Sequence, residues 1–184
     1  MATSGTLVLI VGPSGVGKDA LISYCRSRLA EAGDVIFPRR AITRPVGDTT
    51  EDHETVSEEE FRRRADDGDF ALNWRAHGLG YGVPASIADD LAAGRTVVVN
   101  VSRSILEDAR RQYRPLRIVS VTASRDVLAI RLRGRGRETD DDIKQRLARA
   151  ESLDVAGPDV VSLDNSGPLE EAGEALLRLV RPTV

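Results

Sequence analysis

A single cysteine, Cys25, occurs in 184 residues, which excludes an internal disulfide and a cysteine-built metal cluster. It falls inside the first helical stretch and is expected to be a small core residue. No run approaches the roughly 18 consecutive apolar residues that a membrane-crossing helix needs, so no membrane partner is expected. The opening Met1-Ala2-Thr3-Ser4 carries no charged lead into an apolar segment, which points away from export and makes the cytoplasm the expected compartment. Neither sign of charge prevails. With 26 Lys and Arg against 29 Asp and Glu, the net charge is −3, so there is no bulk attraction to nucleic acid and no such partner is expected. Internal repeats and low-complexity tracts are also missing, and residues 1–184 read as one domain.

What is present begins with Leu7-Val8-Leu9-Ile10-Val11, an apolar β-rich run that passes directly into Gly12-Pro13-Ser14-Gly15-Val16-Gly17-Lys18-Asp19. A helical stretch from Ala20 to Ala32 follows, giving the strand–loop–helix context that a phosphate-binding loop requires. In such a loop, backbone N–H groups face an oxyanion and the helix N-terminus adds positive partial charge. Lys18 can then reach the β- and γ-phosphates of ATP. The last position departs from the pattern: Asp19 stands where Ser or Thr normally binds Mg²⁺. A carboxylate beside a triphosphate either repels it or holds the metal, and Mg²⁺ accepts carboxylate oxygens readily, so Asp19 is expected to be the metal ligand.

Further strands are expected at Val35–Ile42, Thr96–Val101, Arg117–Thr122 and Val160–Leu163, most of them separated by helical patterns. That alternation argues for an α/β fold of the P-loop NTPase type, three layers around a parallel sheet. Helix starts are marked by Ser57 with Glu60, by Pro84, by Ser102 and Ser124, and by Thr139 before three aspartates; ends are marked by Gly33, Gly68 and Gly94. Residues Pro45 to Thr55 read as an exposed loop.

Beyond the P-loop, Ile42-Thr43-Arg44-Pro45, Val56-Ser57-Glu58-Glu59-Glu60-Phe61, His77-Gly78-Leu79-Gly80-Tyr81-Gly82 and Gly134-Arg135-Gly136-Arg137-Glu138 through Arg146-Leu147 follow one another in an order that resembles the guanylate kinase family over nearly the whole chain. The resemblance implies a CORE, an acceptor-binding region near residues 38–95 and a LID near 134–146. It implies that Arg44 and Tyr81 bind the acceptor's phosphate and that Asn165, in the loop Val161 to Gly167, neighbours adenine. The base-reading positions depart from the family. Leu72 stands where a glutamate reads guanine, Asn100 and Ser102 stand where acidic residues end the third strand, and His53 replaces a loop tyrosine. A second phosphate-binding arginine expected just after Arg44 is absent from Pro45-Val46-Gly47-Asp48. A site built to hydrogen-bond a base loses orders of magnitude without its partners, which makes GMP a poor acceptor. A loop ending in Lys-Asp on such a frame resembles the ribose 1,5-bisphosphate phosphokinases of phosphonate degradation. That implies phosphorylation of the sugar bisphosphate to 5-phosphoribosyl 1-diphosphate (PRPP).

The attacking phosphate is mostly ionised at neutral pH, so no general base is needed, and charge neutralisation becomes the main task. Lys18, Arg135 and Arg146 are expected to act on the transferring γ-phosphate, with Arg131 and Arg137 nearby. Arg44 and Tyr81, with Arg39, Arg40, Arg75 and Arg103 as companions, are candidates for the acceptor's two phosphates. His77 is a candidate for the sugar or a turn residue. If Asp19 has taken over the charge missing at Asn100, the two departures describe one metal site. Competing readings are a guanylate or other nucleoside monophosphate kinase, a non-catalytic guanylate-kinase-like binding module, and a small-metabolite kinase of another P-loop lineage. A homodimer is left open.

Overall fold

The computed structural model describes residues 4–45, 52–134, 139–151 and 155–181. Among these the chain runs β1 (Leu7–Val11), α1 (Lys18–Arg28), β2 (Val35–Ile36), β3 (Arg40–Ile42), β4 (His53–Thr55), α2 (Glu58–Asp66), β5 (Phe70–Ala76) and β6 (Leu79–Pro84). It continues through α3 (Ile87–Ala92), β7 (Thr96–Asn100), a 3₁₀ turn over Arg103–Ile105, α4 (Leu106–Gln112), β8 (Leu116–Thr122), α5 (Arg125–Gly134), α6 (Asp140–Glu151), β9 (Val160–Asp164) and α7 (Leu169–Val180).

Every residue of β1 is buried, as an unbroken apolar run requires of a parallel strand covered on both faces. It is the central strand of a five-stranded parallel sheet ordered β2-β7-β1-β8-β9. Successive side chains point to opposite faces. Val8 and Ile10 pack with Leu21, Leu128, Leu132, Leu176 and Leu177, while Leu7, Leu9 and Val11 pack with Leu72, Tyr81, Ile87 and Leu106. The chain is therefore the three-layer α/β fold expected. Cys25 lies in the first of these clusters, and burial, with the nearby Glu174 carboxylate, pushes its thiol up to about 12.

The second sheet, ordered β4-β3-β6-β5, covers part of the other face. Its core is the antiparallel pair β5 and β6, joined by His77-Gly78, whose φ values of 53° and 76° are those of a two-residue type I′ turn. His77 is thus a turn residue.

Several expectations are corrected here. Val35–Ile42 is two strands, because the chain leaves the parallel sheet at Phe37-Pro38-Arg39 and enters the second sheet at Arg40. Pro38 has no N–H with which to continue the ladder. Pro84 closes β6 rather than opening a helix, and α3 begins at Ile87. In the expected loop Pro45 to Thr55, residues 46–51 lie outside the described residues, but His53–Thr55 pair in parallel with β3.

The other helix starts follow the sequence. Ser57 Oγ accepts from Glu60 N, and Thr139 and Asp142 bond reciprocally, with Thr139's hydroxyl holding the Asp142 carboxyl below its usual range. Helix α7 went unread. Its stripe of Ala172, Gly173, Leu176, Leu177 and Val180 packs on α1, and a Cβ on Gly173 would run into the Tyr24 ring.

Candidate active site

The phosphate loop leaves the C-terminal end of β1, where open α/β sheets place their ligands. Lys18 Nζ donates to the Gly12 carbonyl at 2.7 Å and the Pro13 carbonyl at 3.1 Å, which keeps the ammonium inside the loop's curve. Gly17 precedes α1 at φ 96°, a left-handed conformation that favours glycine. A Cβ there would stand 2.6 Å from Asn165 Nδ2.

Three side chains from distant parts of the chain brace this loop. Asn165, only 2% exposed, donates to the Val16 carbonyl at 2.7 Å. Arg131 of α5 donates to the same carbonyl at 3.2 Å, and Arg146 of α6 donates to Ser14 Oγ at 2.9 Å. Asn165 therefore sits behind the loop as a buried support. Arg135, with Gly136 and Arg137, lies outside the described residues.

Asp19, on the first turn of α1, is met by the end of β7: Asn100 Nδ2 donates to Asp19 Oδ1 at 2.9 Å. The two departures from the family pattern are in direct contact. Among the described residues no group of three or more His, Cys, Asp or Glu forms a metal cage. Mg²⁺ carried by nucleotide phosphates needs only one or two protein carboxylates, and a single carboxylate oriented by an amide at the P-loop's end fits that need.

From Asp19 a cleft of about 240 Å³ runs along α1 past Ser23 to Arg26, with Arg40, Asn100 and Asp52 opposite. Arg40, 6% exposed, donates to the Asn100 carbonyl at 2.7 Å. Its guanidinium carbon lies 5.5 Å from the Tyr81 ring centre and 5.9 Å from that of Trp74, within cation–π range. Those two rings face one another across the β5–β6 register, 5.3 Å apart and 3° from parallel. Arg44 Nη2 stands 3.5 Å from Tyr81 Oη. Arg39 is at the rim, where its Nε meets Asp52 at 2.8 Å; Asp52 also pairs with Arg26 at 3.5 Å. Arg103, on the turn after β7, is half-buried, and desolvation draws its pKa down.

Arg75 is not brought to this cleft. Strand alternation puts it on the opposite face from Trp74, where it forms a two-pronged pair with Glu58 at 2.9 and 3.3 Å and holds that carboxyl below its usual range. Leu72, at the position where a base-reading glutamate would stand, is 4% exposed in the apolar cluster. Trp74, Asp52 and Arg26 were not among the candidates. Trp74 could have been found from its period-two spacing with Phe70 and Leu72; nothing local marks the other two.

The family model described as Guanylate kinase matches residues 4–181. A protein from Acidiphilium cryptum (strain JF-5) carrying the name Ribose 1,5-bisphosphate phosphokinase PhnN is 54% identical over 98% of this chain and 94% of its own length. A protein of the same name from Chelativorans sp. (strain BNC1) is 46% identical over 96% of this chain and 85% of its own. Among solved structures, a guanylate kinase from Anaplasma phagocytophilum superposes with a TM-score of 0.67 at 18% identity, covering 97% of this chain and 85% of that one; at that identity the likeness is one of fold.

Proposed function

Since the chain belongs to the guanylate kinase family, in the branch of the ribose 1,5-bisphosphate phosphokinases, we propose that it transfers the γ-phosphoryl group of ATP to the anomeric phosphate of ribose 1,5-bisphosphate, giving PRPP and ADP. The observation that carries this reading is 54% identity, over nearly the full length of both chains, to a protein named for that reaction. The buried Leu72 supports it, because an apolar side chain cannot accept hydrogen bonds from a guanine edge.

In the reaction, an ionised oxygen of the C1 phosphate forms a bond to the γ-phosphorus while the bond to the β–γ bridging oxygen breaks and ADP leaves. The attacking group arrives already mostly deprotonated, so the protein supplies position and positive charge rather than a base. Lys18 and the loop Gly12 to Asp19, through the backbone N–H groups of its residues other than Pro13, hold the donor's phosphates. Arg146, already bonded to Ser14, and Arg135 neutralise the γ-phosphoryl as charge develops on it. Arg44 and Tyr81 hold the attacking phosphate, with Arg39 and Arg103 adding positive charge. Asp19, oriented by Asn100, would hold Mg²⁺, which when bound neutralises phosphate charge. Asn165 supports the nucleotide side from behind Val16.

In this reading residues 1–184 act as one kinase domain, with the acceptor region near 38–95 and a LID near 134–146. No helix among the described residues is long and apolar enough to cross a membrane. The reaction is assigned to the cytoplasm, where ATP is supplied.

The test is ADP release with ATP and Mg²⁺, offered either ribose 1,5-bisphosphate or GMP, with phosphorus NMR of the product. A new diphosphate on the anomeric carbon is expected, with GMP disfavoured by about 10⁴-fold or more in kcat/KM. Efficient conversion of GMP to GDP would overturn the reading.

A further inference from the structure

The cleft beside Asp19 has a buried arginine in its wall. Arg40 is almost fully enclosed, fixed by the Asn100 carbonyl and lying near the Tyr81 and Trp74 rings. A guanidinium stays charged at every physiological pH, and its planar fork of N–H donors matches the oxygens of a phosphate. Arg40 and Arg44 flank the same side chain. One lies 5.5 Å from the centre of the Tyr81 ring, and the other reaches the hydroxyl at its tip.

The cleft that Arg40 lines extends along α1 from Asp19 to Arg26, so it leads away from Ser14 and the phosphate loop. An acceptor whose reacting phosphate sits at Arg44 and Tyr81 would extend its other end toward Arg40. For a nucleoside monophosphate that end is an uncharged base. For a sugar bisphosphate it is a second phosphate, the one ligand group that a fixed, enclosed guanidinium recognises best.

We propose that Arg40 holds the non-reacting C5 phosphate of the acceptor and thereby selects doubly phosphorylated sugars over nucleotides. This rests on the reading of ribose 1,5-bisphosphate as acceptor. Its anchor on the Asn100 carbonyl sets the guanidinium's direction, and the neighbouring rings restrict its rotamers, so the site discriminates by position as well as by charge.

The experiment crosses the residue with the phosphate. Wild type, Arg40→Gln and Arg40→Lys are assayed with ribose 1,5-bisphosphate and with ribose 1-phosphate, which lacks the second phosphate. Expected is a fall of about 10²-fold in kcat/KM for the bisphosphate in Arg40→Gln, carried mainly by KM, and little change for ribose 1-phosphate. Arg40→Lys should recover part of the loss. Equal losses on both acceptors would overturn the proposal, since Arg40 would then serve the reacting phosphate or the fold. If wild type turns over neither sugar phosphate but does use GMP, it is the acceptor reading that has failed. Should the variants not fold, a crystal structure of the wild-type protein with ribose 5-phosphate decides. Its phosphate is expected on the Arg40 guanidinium, and a phosphate elsewhere would overturn the proposal.

Discussion

Asn100, the last residue of β7, donates its side-chain amide to the carboxylate of Asp19, the first-turn residue of α1, at 2.9 Å. The P-loop position that carries a carboxylate instead of a hydroxyl is thus held by the strand-end position that carries an amide instead of a carboxylate. If the pair shares one Mg²⁺–ATP site, changes at the two residues will not add. Asn100→Asp should set two carboxylates against each other, lowering Tm without Mg²⁺ and regaining it with Mg²⁺–ATP. Asp19→Ala should abolish that regain, in the single variant and in the double. Thermal melts across a Mg²⁺ titration give the answer, and independent, additive shifts would refute a shared site.

Asn165 supports the loop through its N–H₂ group, so the sign of the effect depends on what replaces it. Asn165→Ala leaves the buried Val16 carbonyl with one donor fewer and should cost about 1–3 kcal/mol while raising KM for ATP. Asn165→Asp should be worse, because it turns a carboxylate toward that carbonyl oxygen. Chemical denaturation and ATP kinetics measure both; an aspartate variant better than the alanine one would contradict the assigned orientation.

Arg146 reaches the loop through Ser14, and the two are not equivalent. Arg146→Ala should lower kcat by about 10²–10³-fold if the guanidinium stabilises the transferring phosphoryl group. Ser14→Ala removes only the tether and should change kcat by less than about tenfold. Similar losses in both would mean that the arginine acts only by holding the loop.

Asp159 and Arg110 fasten the start of β9 to α4 with two hydrogen bonds, at 2.9 and 3.0 Å, and the guanidinium holds the Asp159 carboxyl below its usual value. A depressed carboxyl pKa contributes stability that is fully present above the unfolded-state value of about 3.9 and is lost as pH falls through the lower folded-state value. Asp159→Asn should therefore lower Tm by about 2–4 °C at pH 7 and show a smaller acid-side decline than wild type. Parallel Tm profiles for the two proteins between pH 7 and 3 would exclude the pair as a contributor.

The sequence was most legible where the signal is local. The apolar run of β1, the loop after it and the caps at Ser57 and Thr139 each lie within a few residues, and each forms as its pattern requires. The second sheet was harder to read. The chain's exit from the parallel sheet at Pro38 depends on which neighbours are available at Arg40, and the His77-Gly78 turn lacks the Asn-Gly signature that would have marked the hairpin. The acceptor arginines could be chosen by type but not by direction. Arg75 is separated from the cleft by the pleat of its own strand, which its adjacency to Trp74 could have shown once β5 was recognised. The pairing of Asp19 with Asn100 spans 81 positions, and no spacing rule reaches that far.

Arg40 meets Asn100 through the backbone carbonyl, whereas Asp19 meets it through the side chain. The first contact is available to any amino acid at position 100, and the second is specific to asparagine and a few substitutes. Mutational drift at this one codon can therefore retune how the P-loop carboxylate is held while the acceptor-side arginine keeps its anchor. The two halves of the site become separately adjustable at a single position. A library randomised at residue 100 should yield variants that differ in metal preference but keep one acceptor profile.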